Sequence, residues 1–452
     1  MTQDPNTNEY QDVIIQEPEL VMSAFNQDQI ALLQSPRYLD LIRIIHEKGP
    51  LTLEDIATEY AVLAKDDQAK SESTVYRYLT LLKQSKLVQE AGQRIREGKA
   101  HSKTLYSLAA RYLIIDQPEI DWKSSYGQGV FKNLVAMLRI LYRDKPIDEK
   151  ALFQWQLKFQ QVVDEAKNRL INSKNPDILD ILSVWAPYTI MDMMEYIGWV
   201  SFLIKEPNAQ DSFLKCFESN SELEATPFPT NADKAQGKDH IAFRDVIRRF
   251  PEIYCDLMEE DPRRSYLEKS AYFPLFHVLR DRPMSIEEIA EKYNEVALVP
   301  RKLQTIYRYI KTLQEAILVI EVGQRVTHGK KTTQKLYGTI ARLVSFQGKY
   351  EPEWKNERRV WLLEAIIKII HFLYPHLPKI DKEGFREFRI MGSKYEHEGN
   401  YLFNLPENRK IIELFHNCHW KTFYQMYTTF WDYYYFLNIP NLYERLEKCL
   451  IK

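Results

Sequence analysis

The sequence predicts a mainly α protein with small β-hairpins, in which one module is written twice. Three observations carry that expectation: a long internal repeat, apolar residues at helical spacing through most of the chain, and in each repeat two short apolar segments flanking a basic, glycine-containing turn. The stretch Thr74–Leu113 aligns without a gap on Thr305–Val344, so that Tyr76 falls on Tyr307, Gly98 on Gly329 and Arg111 on Arg342. The match extends outward, where Asp12, Val13 and Ile14 answer Asp245, Val246 and Ile247, and Cys216 answers Cys449. Two copies of one unit are therefore expected, with hairpin-bearing domains at 10–117 and 243–349 and helical domains at 118–217 and 350–452. A flexible tail at 1–9 and a linker rich in Asn, Ser, Thr and Pro at 218–242 complete the chain.

In the first copy, Tyr38, Leu41, Ile42 and Ile45 recur at helical spacing, and Gly49-Pro50 ends that helix. Thr52 with Asp55 resembles a capping box, which opens a second short helix that turns Ile56, Ala57 and Tyr60 inward. After the polar run Lys65–Lys70, Val75, Leu79 and Leu82 fall on one face of a third helix, with Ser73, Tyr76, Arg77 and Thr80 on the other. Ile306, Ile310 and Leu313 repeat that face in the second copy. Tyr78 and Tyr309 are expected to pack inward, and Tyr76 and Tyr307 to point out. Leu87-Val88 and Leu105–Leu108 give two strands joined by a long basic hairpin. Three helices and a hairpin are the parts of a winged helix.

The remainder of each copy is helical. Val130, Leu134, Leu138 and Leu141 form one stripe, residues 148–172 a second helix, and Asn175-Pro176 opens a third with a capping residue and a proline in the first turn. Pro187 breaks into a fourth. The second copy answers with Trp361, Ala365, Ile369 and Phe372, and ends in the aromatic stretch 423–436.

Composition bounds the function. With 452 residues, 45% of them hydrophobic, the chain has ample material for packed cores, and dominant disorder is excluded. Lys+Arg 61 against Asp+Glu 63 leaves a formal charge of -2, so any basic footprint has to be local. The four cysteines are too few and too scattered for a disulfide framework or a metal knuckle, which fits a reducing compartment. The polar N-terminus and the shortness of the longest apolar run, 197–204, give a cytoplasmic protein without a membrane role.

The footprint is found in the matched segments. Residues 70–111 hold nine basic and three acidic side chains, and residues 301–342 hold nine and two, which leaves the rest of the chain strongly acidic. A helix entering a major groove needs small polar residues at its N-terminal end, a charged or aromatic side chain one turn in, and an apolar face fixing it to its own domain. Ser73, Thr74, Tyr76, Arg77 and Thr80 supply that layout in the first copy, and Gln304, Thr305, Tyr307, Arg308 and Lys311 in the second. The hairpins add Arg94, Arg96, Lys99 and Lys103, answered by Arg325, Lys330, Lys331 and Lys335, as contacts to phosphate.

Ser73-Thr74-Val75-Tyr76-Arg77, followed by Leu79, Leu82 and Leu87-Val88 before a basic wing, resembles the recognition helix of the winged helix-turn-helix transcriptional regulators, of the ArsR-like and related prokaryotic type. The second copy matches as Gln304-Thr305-Ile306-Tyr307-Arg308 with Leu318-Val319. The resemblance covers the two hairpin-bearing segments, under half the chain, and implies binding of double-stranded DNA by the third helix and the wing. Two features depart from that pattern: the loop before the third helix is longer than the usual short turn, and the cysteine pair of metal-sensing members is absent.

The expected function is a DNA-binding transcriptional regulator in which one chain acts as a pseudo-dimer. The alternatives are a winged-helix scaffold that binds protein and a chromosomal binder without sequence preference. The aromatic stretch offers either a core or a pocket for a small-molecule effector, and the helical domains a surface for a protein partner. His416, Cys418 and His419 do not converge readily on one ion, and their first-copy counterparts hold no ligand, so no metal is expected there. No nucleophile–base set, phosphate loop or paired carboxylates recur in both copies, so neither an enzyme nor a cofactor is expected.

Overall fold

Wherever apolar residues recur at threes and fours, a helix forms. The computed structural model describes residues 10–451 apart from 25–26, 34, 64–70, 97–101, 116–119, 187–189, 219–242, 258–260, 268–270, 298–299, 328–331, 346–356 and 417–419. The chain is mainly α-helical with several small sheets. It divides into two compact units, one made of Met1–Glu119, Val162–Ser201 and Trp361–Leu377, the other of Ile120–Gln161, Phe202–Val360 and Pro378–Lys452.

The first unit opens with β1 (Tyr10–Ile14), β2 (Glu19–Ala24), α1 (Gln27–Leu33), α2 (Pro36–Lys48) and β3 (Leu51–Thr52), followed by α3 (Leu53–Leu63), α4 (Glu72–Gln84), β4 (Val88–Arg96), β5 (Lys103–Leu108) and β6 (Ala110–Ile115). Gly49, at φ 79, ends α2 in a conformation that favours glycine. The capping box is present: the Thr52 N–H donates to Asp55 at 3.1 Å and the Asp55 N–H to the Thr52 hydroxyl at 3.3 Å. Val75, Leu79 and Leu82 of α4 are buried with Leu41, Ile45, Ile56, Leu87 and Leu108 in one core. The chain next runs through α5 (Ser125–Leu141), α6 (Glu149–Ile171), α7 (Pro176–Leu182), α8 (Ile190–Lys205) and α9 (Ala209–Lys215). The Asn175 side chain caps α7 by accepting from the Asp177 N–H.

The second unit repeats the order with β7 (Phe243–Ile247), β8 (Glu252–Asp256), α10 (Arg264–Leu267), α11 (Phe273–Leu279), α12 (Ile286–Val296), α13 (Leu303–Glu315), β9 (Val319–Thr327), β10 (Thr333–Thr339) and β11 (Ala341–Ser345). Ile306, Ile310 and Leu313 of α13 are buried among Leu275, Ile289, Leu318 and Tyr337. The chain closes with α14 (Glu357–Leu373), β12 (Lys379–Ile380), α15 (Lys382–Asn404), α16 (Arg409–His416), α17 (Trp420–Asn438), α18 (Leu442–Glu447) and β13 (Leu450–Ile451). Inside this unit, helical segments from both copies pack on one another. Trp155 of α6 meets Phe213 of α9 and Tyr433 and Phe436 of α17, with ring centroids 4.6 to 5.8 Å apart. The Tyr126 hydroxyl of α5 donates to Gln425 of α17 at 2.8 Å.

The sequence predicts two strands per hairpin, and the structure adds a third. β1 lies antiparallel on β4, in the sheet order β1-β4-β5-β3, and β7 lies on β9 in the order β10-β9-β7. Each hairpin also carries a bulge, at Glu90/Gly92 and opposite Leu336/Tyr337. A Cβ on Gly92 would stand 1.9 Å from the Val13 carbonyl oxygen, and one on Gly323 2.1 Å from that of Val246. Only glycine lets the extra strand close on the bulge.

Candidate nucleic-acid interface

The third helix of each hairpin-bearing segment is fixed by the same pattern of burial. Val75 and Ile306 are fully buried, while Tyr76 is 52% and Tyr307 44% exposed, and Arg77 and Arg308 beside them are exposed as well. Neither arginine forms an ion pair among the described residues. Ser73 and Gln304 are exposed, and Thr74 and Thr305 half-buried. Tyr78 and Tyr309 pack inward edge-on against Tyr38 and Tyr272, each with centroids 5.3 Å apart. The four tyrosines therefore divide into two outward and two inward, as the spacing predicts.

The ends of the helices matter for charge. The side chains of the N-cap residues, Ser71 of α4 and Lys302 of α13, make no capping hydrogen bond. The second helix of each segment, by contrast, is closed by a reciprocal box, Thr52 with Asp55 and Ser285 with Glu288. The Thr74 and Thr305 N–H groups donate to the Ser71 and Lys302 carbonyls at 2.9 Å, and the positive end of each helix dipole favours an anion, a place that Glu72 already shares in α4.

Two expected phosphate contacts are corrected. Arg94 donates to Asp12 at 2.6 and 2.8 Å and to Asp55 at 2.7 Å, and its guanidinium lies over the Tyr10 ring at 4.3 Å. Arg325 does the same with Asp245 at 2.6 and 2.8 Å and with Glu288 at 2.8 Å, over the Phe243 ring at 3.9 Å. Each arginine faces its aspartate across the strand pair, Asp12 opposite Arg94 and Asp245 opposite Arg325. The carboxylates hold both guanidiniums firmly in the charged form and engage Nε and both terminal nitrogens of each, leaving the side chains 17% and 6% exposed. These residues clamp the added strand, the wing and the second helix together. Arg342, counted in the basic segment, is likewise internal, its guanidinium donating to the backbone carbonyls of Arg280, Asp281 and Phe415. Arg94 and Arg325 are thus offset by carboxylates that the count over the basic segments leaves out, while Arg342 keeps its charge but is buried.

Of the remaining wing residues, Lys103 and Lys335 are exposed and pair with Glu54 and Glu321. Lys99, Lys330 and Lys331 lie outside the described residues, and Arg96 is described only as the last residue of β4. Thr80 is half-buried and donates back to the Tyr76 carbonyl at 2.8 Å, whereas Lys311, in its place in α13, sits 5.7 Å from the Tyr307 ring centroid. The aromatic stretch of α17 packs on itself and on α15, with Phe423, Tyr427, Phe430, Trp431 and Tyr434 buried. Cys216 and Cys449 are buried, which pushes each thiol up to about 11. Among the described residues no helix is long and apolar enough to cross a membrane, and no cluster of metal-ligating side chains is present. Of the string His416–His419, residues 417–419 lie outside the described residues. No protein-family model matches the chain, and no curated protein matches it.

Proposed function

We propose that the chain is a cytoplasmic DNA-binding transcriptional regulator, a tandem duplication of a winged-helix domain and a helical domain acting as a pseudo-dimer on duplex DNA. The observation that carries this reading is the matched face of α4 and α13: in both, an exposed Tyr-Arg pair stands one turn in from an uncapped N-terminus, beside a fully buried apolar stripe. A helix anchored on one side and polar on the other fits a major groove. Arg77 and Arg308 are the bidentate donors to a base edge, Ser73 and Gln304 read beside them, and Thr74 and Thr305 with the first-turn N–H groups hold phosphate. With Arg94 and Arg325 withdrawn into their clamps, backbone contact falls to Lys103 and Lys335 and to the hairpin-turn residues Arg96, Lys99, Lys330 and Lys331.

The test is the salt dependence of duplex binding. Several lysine and arginine contacts release condensed counterions, so affinity falls at least about tenfold between roughly 50 and 200 mM salt. R77A with R308A removes most sequence discrimination. An affinity indifferent to salt, or no binding at low salt, would move the function to a protein-binding scaffold. Full displacement by random competitor DNA would make it a binder without sequence preference.

A further inference from the structure

Between α4 and the wing strands lies an open groove of about 310 Å³, lined among others by Tyr76, Thr80, Lys83, Gln84, Glu90 and Tyr106. Glu90 and Tyr106 face each other across β4 and β5, and the Lys83 ammonium of α4 donates to the Glu90 carboxylate. The second copy keeps the carboxylate and both phenols as Glu321, Tyr307 and Tyr337, with Glu321 opposite Tyr337 across β9 and β10. It does not keep the lysine. Gln314 stands where Lys83 stands, and the ammonium comes instead from Lys335 of β10, 2.6 Å from Glu321. One ion pair beside the matched tyrosines is thus built with a lysine of the helix in the first copy and a lysine of the strand in the second. A contact needed only for packing would have no reason to survive that exchange of elements.

We propose that Glu90 and Glu321 stand in the free protein where a DNA phosphate stands in the complex, each holding a lysine beside an exposed tyrosine, Tyr76 or Tyr307, ready to receive it. The inference rests on the DNA reading and deepens it by naming a phosphate subsite and its internal competitor. Both pairs are well exposed, Lys83 and Glu90 at 52% each, Lys335 at 61% and Glu321 at 35%, so solvent screens them and the pairing is weak. An incoming phosphate offers the ammonium and the exposed phenol of Tyr76 or Tyr307 a stronger, charge-assisted set of bonds. The glutamate then turns aside into water. Its negative charge sets the threshold that a duplex must exceed, and it disfavours weak, non-productive encounters.

Five variants of the full chain test this against a labelled duplex. E90Q and E321Q are each expected to bind several-fold more tightly at low salt, with a salt slope steeper by about one, because the ammonium then enters the complex with its charge uncompensated. E59Q, which removes a carboxylate paired with Lys48 in the same segment, is expected to stay within about twofold of the unsubstituted chain. K83Q is expected to weaken binding, and K83Q with T104K, which recreates the wall arrangement of the second copy, to restore it. Equal effects of E90Q and E59Q, weaker binding by E90Q, a lowered melting temperature for E90Q, or failure of T104K to rescue would each overturn the proposal while leaving the DNA reading intact. Absence of duplex binding by the unsubstituted chain would overturn both.

Discussion

The two wing clamps occupy matched positions and differ in depth. Arg325 keeps 6% of its side chain exposed, Arg94 17%, and the third member is Glu288 in one and Asp55 in the other. Both acids are the helix-side half of a capping box, so each clamp ties the start of the second helix to the wing and to the strand laid on it. The longer Glu reaches an arginine that sits deeper, over Phe243 rather than Tyr10. A shared device has thus been tuned in its burial, and burial decides how much a charge costs when its partner is lost.

The largest effect follows from that difference. R325A strands two carboxylates against a covered wing, and a loss of about 2 to 4 kcal/mol is expected, below the range for fully buried pairs because Asp245 and Glu288 are themselves 29% and 23% exposed. R94A leaves Asp12 and Asp55 better solvated, and about 1 kcal/mol is expected. Amide exchange in β7 and β1 of the full chain separates the two. Equal losses would show that burial does not distinguish the clamps.

Acid sharpens the same comparison. Burial by itself would raise the carboxyls of Asp55 and Glu288, but hydrogen bonds from the Thr52 and Ser285 backbones and from the arginines outweigh it and hold both below the ordinary carboxylate values. A folded-state value below the unfolded one means that the unfolded chain binds the proton more readily. The stabilisation is complete above the unfolded values and is lost as pH falls through the folded ones. Protection factors in α3 and α12, the exchange rates corrected for the intrinsic pH dependence of amide exchange, are expected to fall between about pH 5 and pH 3, and R325A to flatten that profile in α12 alone. Greater protection of α12 on acidification would reverse the sign.

What the sequence could show is set by what it can encode locally. The helices, the capping boxes and the division of the tyrosines follow from spacing within one element, and each is legible from a dozen residues. β1 is not, because all five of its residues are exposed and no alternation marks it. Its trace is the repeat of Asp12, Val13 and Ile14 as Asp245, Val246 and Ile247, in which the aspartates meet partners 82 and 80 residues away. The clamps of Arg94 and Arg325 are hidden for the same reason: from sequence an arginine in a hairpin strand faces solvent unless the strand that covers it is known. The packing of α5 on α17 joins residues nearly 300 positions apart. The aromatic stripe of α17 announces burial without naming what it is buried against.

The smallest expected effect concerns the faces offered to DNA. Tyr76-Arg77 and Tyr307-Arg308 are the same pair and all four residues are exposed, so under the proposed function they contact the same bases, most simply a guanine O6 and N7 under each arginine. The neighbours differ. The Ser73 hydroxyl lies 3.0 Å from that of Ser71, and Thr80 is tied to the Tyr76 carbonyl, so the first face adds little discrimination. Gln304 is exposed at the matched place, and its amide can pair with adenine N6 and N7, while Lys311 adds a cation beside Tyr307. Under the proposed function the half-site under α13 is then expected to be the stricter one, and the preferred operator an imperfect palindrome. Q304S is expected to relax preference at one base pair, at a cost on the order of 1 kcal/mol on the preferred sequence and almost none on others. Selection from a random duplex pool reads this directly. A perfectly symmetric consensus, or a Q304S chain with an unchanged one, would mean that the two third helices do not read DNA through these side chains.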